Sequence, residues 1–477
     1  MSIVKSVVKN TFWLYSAEIV STISSTILII LISRLLGSVE LGMYSFIFSY
    51  LTLFSLLSSL GLPSYFIREI ARDKSLAKLY YRNVGTLRML LCLFSLALSF
   101  VLFIFFEKSR TPVLLFMLAL PAVFFNFQGR MIRHLFQAHE LMEYEAIARI
   151  IQKLIDLFAG GYVLLSGKGL FALFIVLIIS NLVYFLVLFI SSAYKIILFK
   201  FDFNFKLWGT LIKKSLPFWF AQIFLYIYFR TDIVMLKFLK GYHDVGLYEA
   251  AYKLIAGLNF IPLLFVVSLY PVMSKLFIEN KKLLLSLFKK GFYYLSIVAI
   301  PLGIGTFLVS EKIILFLYGN EFLPSSLALK ILVLSEIFVF VSHLMGYLLN
   351  SINLQKIFSI STFVCAVLNI LLNILLIPRF GFIGAAFATL LTQGFNFGLL
   401  FTFCSKKGFK LNLPKLLWKP LISAGAMSLF IISFFKMNFV LLIIFSVFIY
   451  LIFLYLIGGV SQKDISKIKE ILKIKKT

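Results

Sequence analysis

The chain has 477 residues, 61% of them hydrophobic and only 14% charged, with a mean hydropathy of +1.03. A water-soluble fold of that length cannot hide so much apolar surface, which excludes a soluble globular protein. Lys and Arg outnumber Asp and Glu by 46 to 19, a net charge of +27, but the cations sit in short clusters between apolar runs, a pattern of cytoplasmic loops rather than of a nucleic-acid-binding face.

Lys5 and Lys9 precede a first apolar run that starts near Phe12, is long, holds Glu18 and lacks a small-residue cleavage site, which predicts a retained helix and not a removable signal. Runs of about 20 apolar residues, the length that crosses a hydrocarbon core, fall at roughly 12–34, 41–62, 84–106, 112–136, 147–165 and 169–194. A basic, aromatic connector from Lys195 to Lys214 leads to six more, at roughly 215–236, 245–274, 291–310, 324–349, 357–377 and 382–404. Two further runs at roughly 417–435 and 438–459 follow the basic segment around Lys406, Lys407 and Lys410, and a Lys-rich amphipathic tail closes the chain. The fold class this predicts is an all-α polytopic membrane protein of about fourteen helices. Its parts are an N-terminal lobe over 1–194, a C-terminal lobe over 195–404, and two additional helices with a basic cytoplasmic tail over 405–477.

With the N-terminus inside, about 32 of the Lys and Arg residues fall in cytoplasmic segments and about 9 outside. Both termini are therefore expected in the cytoplasm. The chain also repeats itself: Gly37, Gly42 and Tyr44 recur at identical spacing as Gly241, Gly246 and Tyr248. With six helices in each half, the repeat predicts lobes of one orientation about an axis along the membrane normal, and a glycine pair that permits a tight outer turn.

Cys92, Cys365 and Cys404 lie singly in apolar segments without metal-ligand spacing, so neither a disulfide nor a metal site is expected. The sequence shows no Walker A stretch, nucleophile elbow or dinucleotide loop. Outer loops shorter than about 15 residues leave little to hold an acceptor sugar. A cofactor-free carrier is the expectation, not an enzyme.

Ionisable groups inside spans are costly and mark function by default. Glu145, Arg149, Lys153 and Asp156 recur at spacings of four, four and three, one face of the fifth helix. A ladder that neutralises itself between packed helices is the alternative to a lumen-facing role. Arg230 and Asp232, then Glu249 and Lys253, follow on the seventh and eighth helices, where snorkelling at the interface competes with function. Glu18, Arg88, Lys330, Glu336 and His343 stand singly, and a lone His343 reads first as a packed residue.

TDIVMLKFLKGYHDVGLYEAAYK (Thr231 to Lys253) resembles the helix seven to eight junction of the oligosaccharide-lipid flippases of bacterial polysaccharide and O-antigen biosynthesis. LYGNEFLPSS (Leu317 to Ser326) is similar to that family's outer loop before helix ten. LNILLIPRFGFIGAAFAT, within Leu368 to Thr389 and including Asn373, is similar to its helix eleven to twelve hairpin, and ISRLLGSVELGMYSF (Ile32 to Phe46) to its first hairpin. The resemblance implies the MATE-like fold of the multidrug/oligosaccharidyl-lipid/polysaccharide exporters, and alternating-access transfer of a polyprenyl-diphosphate-linked oligosaccharide across a bacterial inner membrane for surface polysaccharide such as the O-antigen of lipopolysaccharide. Joined to the in-span charges, it makes Arg149, Lys153, Arg230, Lys253 and Arg88 candidates for the diphosphate. Asp156, Asp232, Glu18 and Glu249 become candidates for coupling to H⁺ or Na⁺. Partners implied are membrane lipids and other polysaccharide-assembly proteins, with no nucleic acid. An ion-coupled drug or metabolite antiporter is the competing reading, a membrane glycosyltransferase the third.

Overall fold

The structure, a computed structural model, describes residues 3–460. The Lys-rich tail expected beyond them lies outside the described residues. Fifteen α-helices follow one another, with no strand among the described residues. They form two compact units, Met1–Ala250 and Ala251–Thr477.

In the first unit α1 (Ile3–Leu36) turns at Gly37 into α2 (Ser38–Ser59), and Gly61 leads into the short α3 (Leu62–Arg72). Then come α4 (Ala77–Phe106), α5 (Arg110–Ala138), α6 (Met142–Leu165), α7 (Gly169–Lys195) and α8 (Phe205–Lys240), and α9 (Tyr242–Leu258) begins the passage into the second unit. That unit continues with α10 (Phe260–Glu279), α11 (Lys281–Tyr318), α12 (Ser325–Ser351), α13 (Gln355–Lys406), α14 (Leu413–Ser433) and α15 (Phe439–Leu456).

Eleven stretches among the described residues are long and apolar enough to span a membrane, α9 and α10 together making one. α6 and α8 are not among them, and α6 carries the charged face read from the sequence. α13 combines two of the expected runs. It breaks at Gly381 (φ 58°, ψ −137°), and the chain doubles back so tightly that a side chain on Gly384 would run into the Leu376 carbonyl. Helix suits a lipid-exposed chain, because it satisfies backbone hydrogen bonds within the segment. Large side chains such as Phe94 and Val101 on α4 and Leu429 on α14 accordingly point outward.

α3 was not anticipated. Its eleven residues are too few to cross a bilayer, but Tyr65, Phe66 and Ile70 bury one face while Arg68 and Arg72 keep the other polar. With Tyr81 and Val84 of α4, Leu135 and Phe136 of α5 and Trp208 and Leu211 of α8, that face makes one core of the first unit. In the second unit Phe288 and Phe292 of α11 pack with Phe340 and Leu344 of α12, and Met427 of α14 with Leu442 and Tyr450 of α15.

The repeated glycines divide their labour. Gly37 (φ 94°, ψ −175°) and Gly241 (φ 93°, ψ −176°) hold the same backbone conformation, one open essentially to glycine alone. Gly42 and Gly246 lie inside the following helices and serve close approach instead of the turn. A Cβ on Gly42 would collide with the Tyr242 carbonyl, and one on Gly246 with the Ser38 carbonyl. Ser38 Oγ lies 2.7 Å from His243 Nδ1 across the same contact. Beside it Lys237 Nζ is 3.0 Å from Glu107 Oε2, which also accepts from the Tyr242 hydroxyl at 2.7 Å. The ammonium sits 4.6 Å from the Phe238 ring centre and 5.3 Å from that of Phe46.

Candidate functional site: two polar cavities in the first unit

The charged face of α6 meets three different helices. Glu145 takes a hydrogen bond from Gln137 Nε2 at 3.0 Å and lies 3.5 Å from Arg133 Nε, both on α5. One turn on, Arg149 is bound to Glu18 of α1 at 2.7 Å and donates to Ser21 Oγ at 3.3 Å. Lys153 pairs with Asp156 at 2.7 Å along α6, and the Ser180 hydroxyl of α7 donates to the other carboxylate oxygen. The Asp156 side chain is 5% exposed and that of Lys153 24%, so the pair has one shielded and one accessible member.

Lys153 and Asp156 line a cavity of about 220 Å³ with Tyr44, Asn126, Gln152 and Asn181. Asn181 Oδ1 accepts from Gln152 Nε2 and from Asn126 Nδ2, each at 2.8 Å, and its amide donates to the Leu177 carbonyl at 2.7 Å. Three amides thus fix one another, giving a wall with settled donors and acceptors.

Arg130 reaches from this cavity into a second of about 240 Å³, and Ser55 and Phe127 also line both. Arg88 of α4 and Arg130, Arg133 and His134 of α5 line the second cavity, faced by Tyr226 of α8. None of its described lining residues is acidic. Arg88 is 5% exposed, donates to the Met131 sulfur at 3.2 Å and leaves its Nε without a partner. Burying a cation without a counter-charge is expensive. Arg133 has Glu145 at 3.5 Å, whereas Arg88 has no acidic partner among the described residues, and with Arg130 the three guanidiniums are planar, many-donor groups of the kind that can recognise phosphate oxygens.

Of the residues singled out from the sequence, the structure therefore joins Arg149 to Glu18, joins Lys153 to Asp156, and places Arg88 in the arginine cavity. Asp232 is buried, receives the Tyr248 hydroxyl and the Ile233 amide (2.9 Å), and has Arg230 and Glu249 within electrostatic reach. Lys253 belongs to the second unit. Arg130 and Arg133, which the sequence did not single out, join Arg88 in the second cavity. Their i,i+3 spacing, with His134 next, was the available signal.

The first unit of this polytopic helical chain thus holds two polar cavities, one walled by amides and one by arginines. Residues 7–277 match the family described as polysaccharide biosynthesis protein, and 217–375 match the MatE family. The chain belongs to the polysaccharide biosynthesis protein family. Two curated relatives come from Haloferax volcanii. A probable low-salt glycan biosynthesis flippase, Agl15, is 27% identical over 36% of this chain and 36% of its own length. A probable flippase, AglR, is 30% identical over 43% of this chain and 44% of its own. The match thus spans less than half of either relative. Both are named flippases, not enzymes. Among solved structures, the lipid II flippase MurJ in an inward closed conformation is similar with a TM-score of 0.76 at 19% identity, covering 94% of this chain and 98% of that one. An inward-facing MATE family multidrug transporter gives 0.63 at 14% identity, over 81% of this chain and 94% of that one. The fold is shared with both.

Proposed function

We propose that the protein carries a polyprenyl-diphosphate-linked oligosaccharide across the cytoplasmic membrane by alternating access between lobes formed by 1–194 and 195–404, with both termini in the cytoplasm. The observation that carries this reading is the acid-free cavity of Arg88, Arg130 and Arg133 in a chain of the polysaccharide biosynthesis family. A diphosphate cannot cross hydrocarbon alone, and its charge has to be matched inside the protein while the polyprenyl tail stays in lipid. Under the topology proposed, the end of α5 bearing these arginines is the cytoplasmic one, where a newly made lipid-linked sugar presents its diphosphate. Lys153, Arg230 and Lys253 are the further cations of the path. Arg149, already balanced by Glu18, contributes by holding α1 to α6. Asp156 and Asp232 are the proposed H⁺ or Na⁺ sites, with Glu18 and Glu249 as lesser candidates. Assignment to O-antigen and lipopolysaccharide in a bacterial inner membrane rests on the sequence resemblance, whereas the names of the archaeal relatives support a glycan carrier more generally.

The MatE match favours one competing reading, an antiporter of cationic drugs. Three arginines around one cavity argue against a cationic cargo. In a strain without redundant flippases, loss of the protein should trap lipid-linked oligosaccharide on the cytoplasmic side while its synthesis continues. Delivery to the outer face at a normal rate would overturn the proposal, as would normal delivery by well-folded Arg88→Gln, Arg130→Gln and Arg133→Gln variants for the site.

A further inference from the structure

The second unit carries a separate cationic cavity, of about 550 Å³, where α11 and α14 begin and α15 ends. Its walls include Lys289 and Tyr293 of α11, Lys415, Trp418 and Lys419 of α14, and Gly459 beyond α15. None of the described lining residues is acidic. Two backbone carbonyls of the wall already accept hydrogen bonds. Lys419 Nζ donates to the Gly458 carbonyl at 2.7 Å and the Tyr293 hydroxyl to the Gly459 carbonyl at 2.6 Å. The exposed polar side chains that remain are Lys289, Lys415 and Asn412, the last with its amide oxygen accepting from the Lys415 backbone N–H at 3.2 Å, so the charged groups there are cations alone and suit an anion.

The surroundings say which kind of anion. Trp418 is 43% exposed, with the Lys419 ammonium 5.5 Å from its ring, the pairing of amphipathic residues found at headgroup level. Leu421 and Ile422, two and three residues beyond Lys419 on α14, and Leu456, two residues before Gly458 at the end of α15, expose apolar side chains. A free phosphate would use only the lysines. A molecule with a phosphate at one end and hydrocarbon at the other would use both surfaces.

We propose that this cavity binds the headgroup of an anionic phospholipid, its phosphate between Lys289 and Lys415 and its acyl chains along the exposed faces of α14 and α15. The site lies in the second unit, and the proposal does not rest on the cargo proposed for the cavities of the first.

The test uses the full-length protein in a mild nonionic detergent, titrated with phosphatidylglycerol, with phosphatidylcholine of the same chains, and with inorganic phosphate. Native mass spectrometry reads occupancy and thermal melting reads stabilisation. Phosphatidylglycerol should bind and raise the melting temperature, with the other two at least about tenfold weaker, since the zwitterion lacks net charge and the ion lacks tails. Lys289→Gln/Lys415→Gln should weaken phosphatidylglycerol about 30-fold, each lysine near an anionic headgroup contributing a factor of about 5. Lys289→Arg/Lys415→Arg should retain binding. Should the double glutamine variant fail to fold, Lys415→Gln alone, on the exposed first turn of α14, should show a loss of about fivefold. Equal binding of phosphatidylcholine, an equal shift from inorganic phosphate, or undiminished phosphatidylglycerol binding by the glutamine variants would each overturn the proposal.

Discussion

Replacing Lys153 by methionine keeps most of the side-chain stem and removes the charge. It strands Asp156, 5% exposed, with only the Ser180 hydroxyl as side-chain partner. Breaking a fully buried ion pair costs about 3–5 kcal/mol. Two features reduce that here: the Lys153 side chain is 24% exposed, and the pair borders a cavity of about 220 Å³. A water occupies about 30 Å³, so solvent can take part of the role of the ammonium, and the expected loss is about 2 kcal/mol. Asp156→Asn leaves the accessible member alone and should cost about 1 kcal/mol, its amide oxygen still accepting from Ser180. The double variant should lose less than the sum, with a coupling of about 1–2 kcal/mol, because neither partner is then left charged and alone. Equilibrium unfolding in mixed micelles of the wild type, both single variants and the double closes the cycle. Strictly additive losses, with Lys153→Met costing under about 0.5 kcal/mol, would refute the reasoning, since they would mean that the pair is solvated or not formed. In the same set, transport by folded Asp156→Asn that still answers to an ion gradient would remove Asp156 from the coupling role.

Gly42→Ala and Gly246→Ala each place a methyl group against a backbone carbonyl that has no rotamer to escape through, so each should destabilise the protein by about 2 kcal/mol or more. Alanine at Gly425, which meets nothing within 4 Å, is the control for both in a melting assay, and equal melting of all three would contradict the close approach. Burial opposes ionisation of Glu107, but bonds from Tyr242, Lys237 and the Ser109 amide outweigh it and hold the carboxyl below its ordinary value of 4.5. A depressed carboxyl stabilises the fold above its unfolded value and loses that contribution as pH falls through the native one. Melting temperature should therefore drop on acidification below about pH 4.5, and Glu107→Gln should flatten that limb. An identical acid limb in the variant would rule out this origin.

Hydropathy made the membrane-crossing cores legible because each is defined by a length that the bilayer imposes. It did not see helix that continues into the polar boundary. α8 starts at Phe205 and α11 at Lys281, about ten residues before the apolar runs do, because Lys206, Lys213, Lys282 and Lys289 belong to helix but not to hydrocarbon. α3 escaped for the related reason that a short helix with one charged face is no apolar run. Part of the candidate site was readable on α6, where spacing alone puts the charges on adjoining turns. The arginine cavity was not, since it depends on Arg88 of α4 meeting Arg130 and Arg133 of α5 across a packing that no local pattern encodes. Nor did spacing reveal that Gly37 and Gly42 serve different purposes, because both the bend and the contact call for the same missing side chain.

The glycine contact has the symmetry of a handshake. Gly42 stands five residues after Gly37 and touches Tyr242, one residue after Gly241, while Gly246 stands five after Gly241 and touches Ser38, one after Gly37. Each repeat thus offers the same patch to the other, the hallmark of a two-fold homodimer interface, here written within one polypeptide. A precursor carrying a single copy of this turn would have been able to pair with itself through the same surface. Fusion of two copies would then have relieved the contact of its concentration dependence. It would also have left positions 38 and 242 free to differ, as Ser38 and Tyr242 do, while the two positions facing backbone both carry hydrogen in place of a side chain.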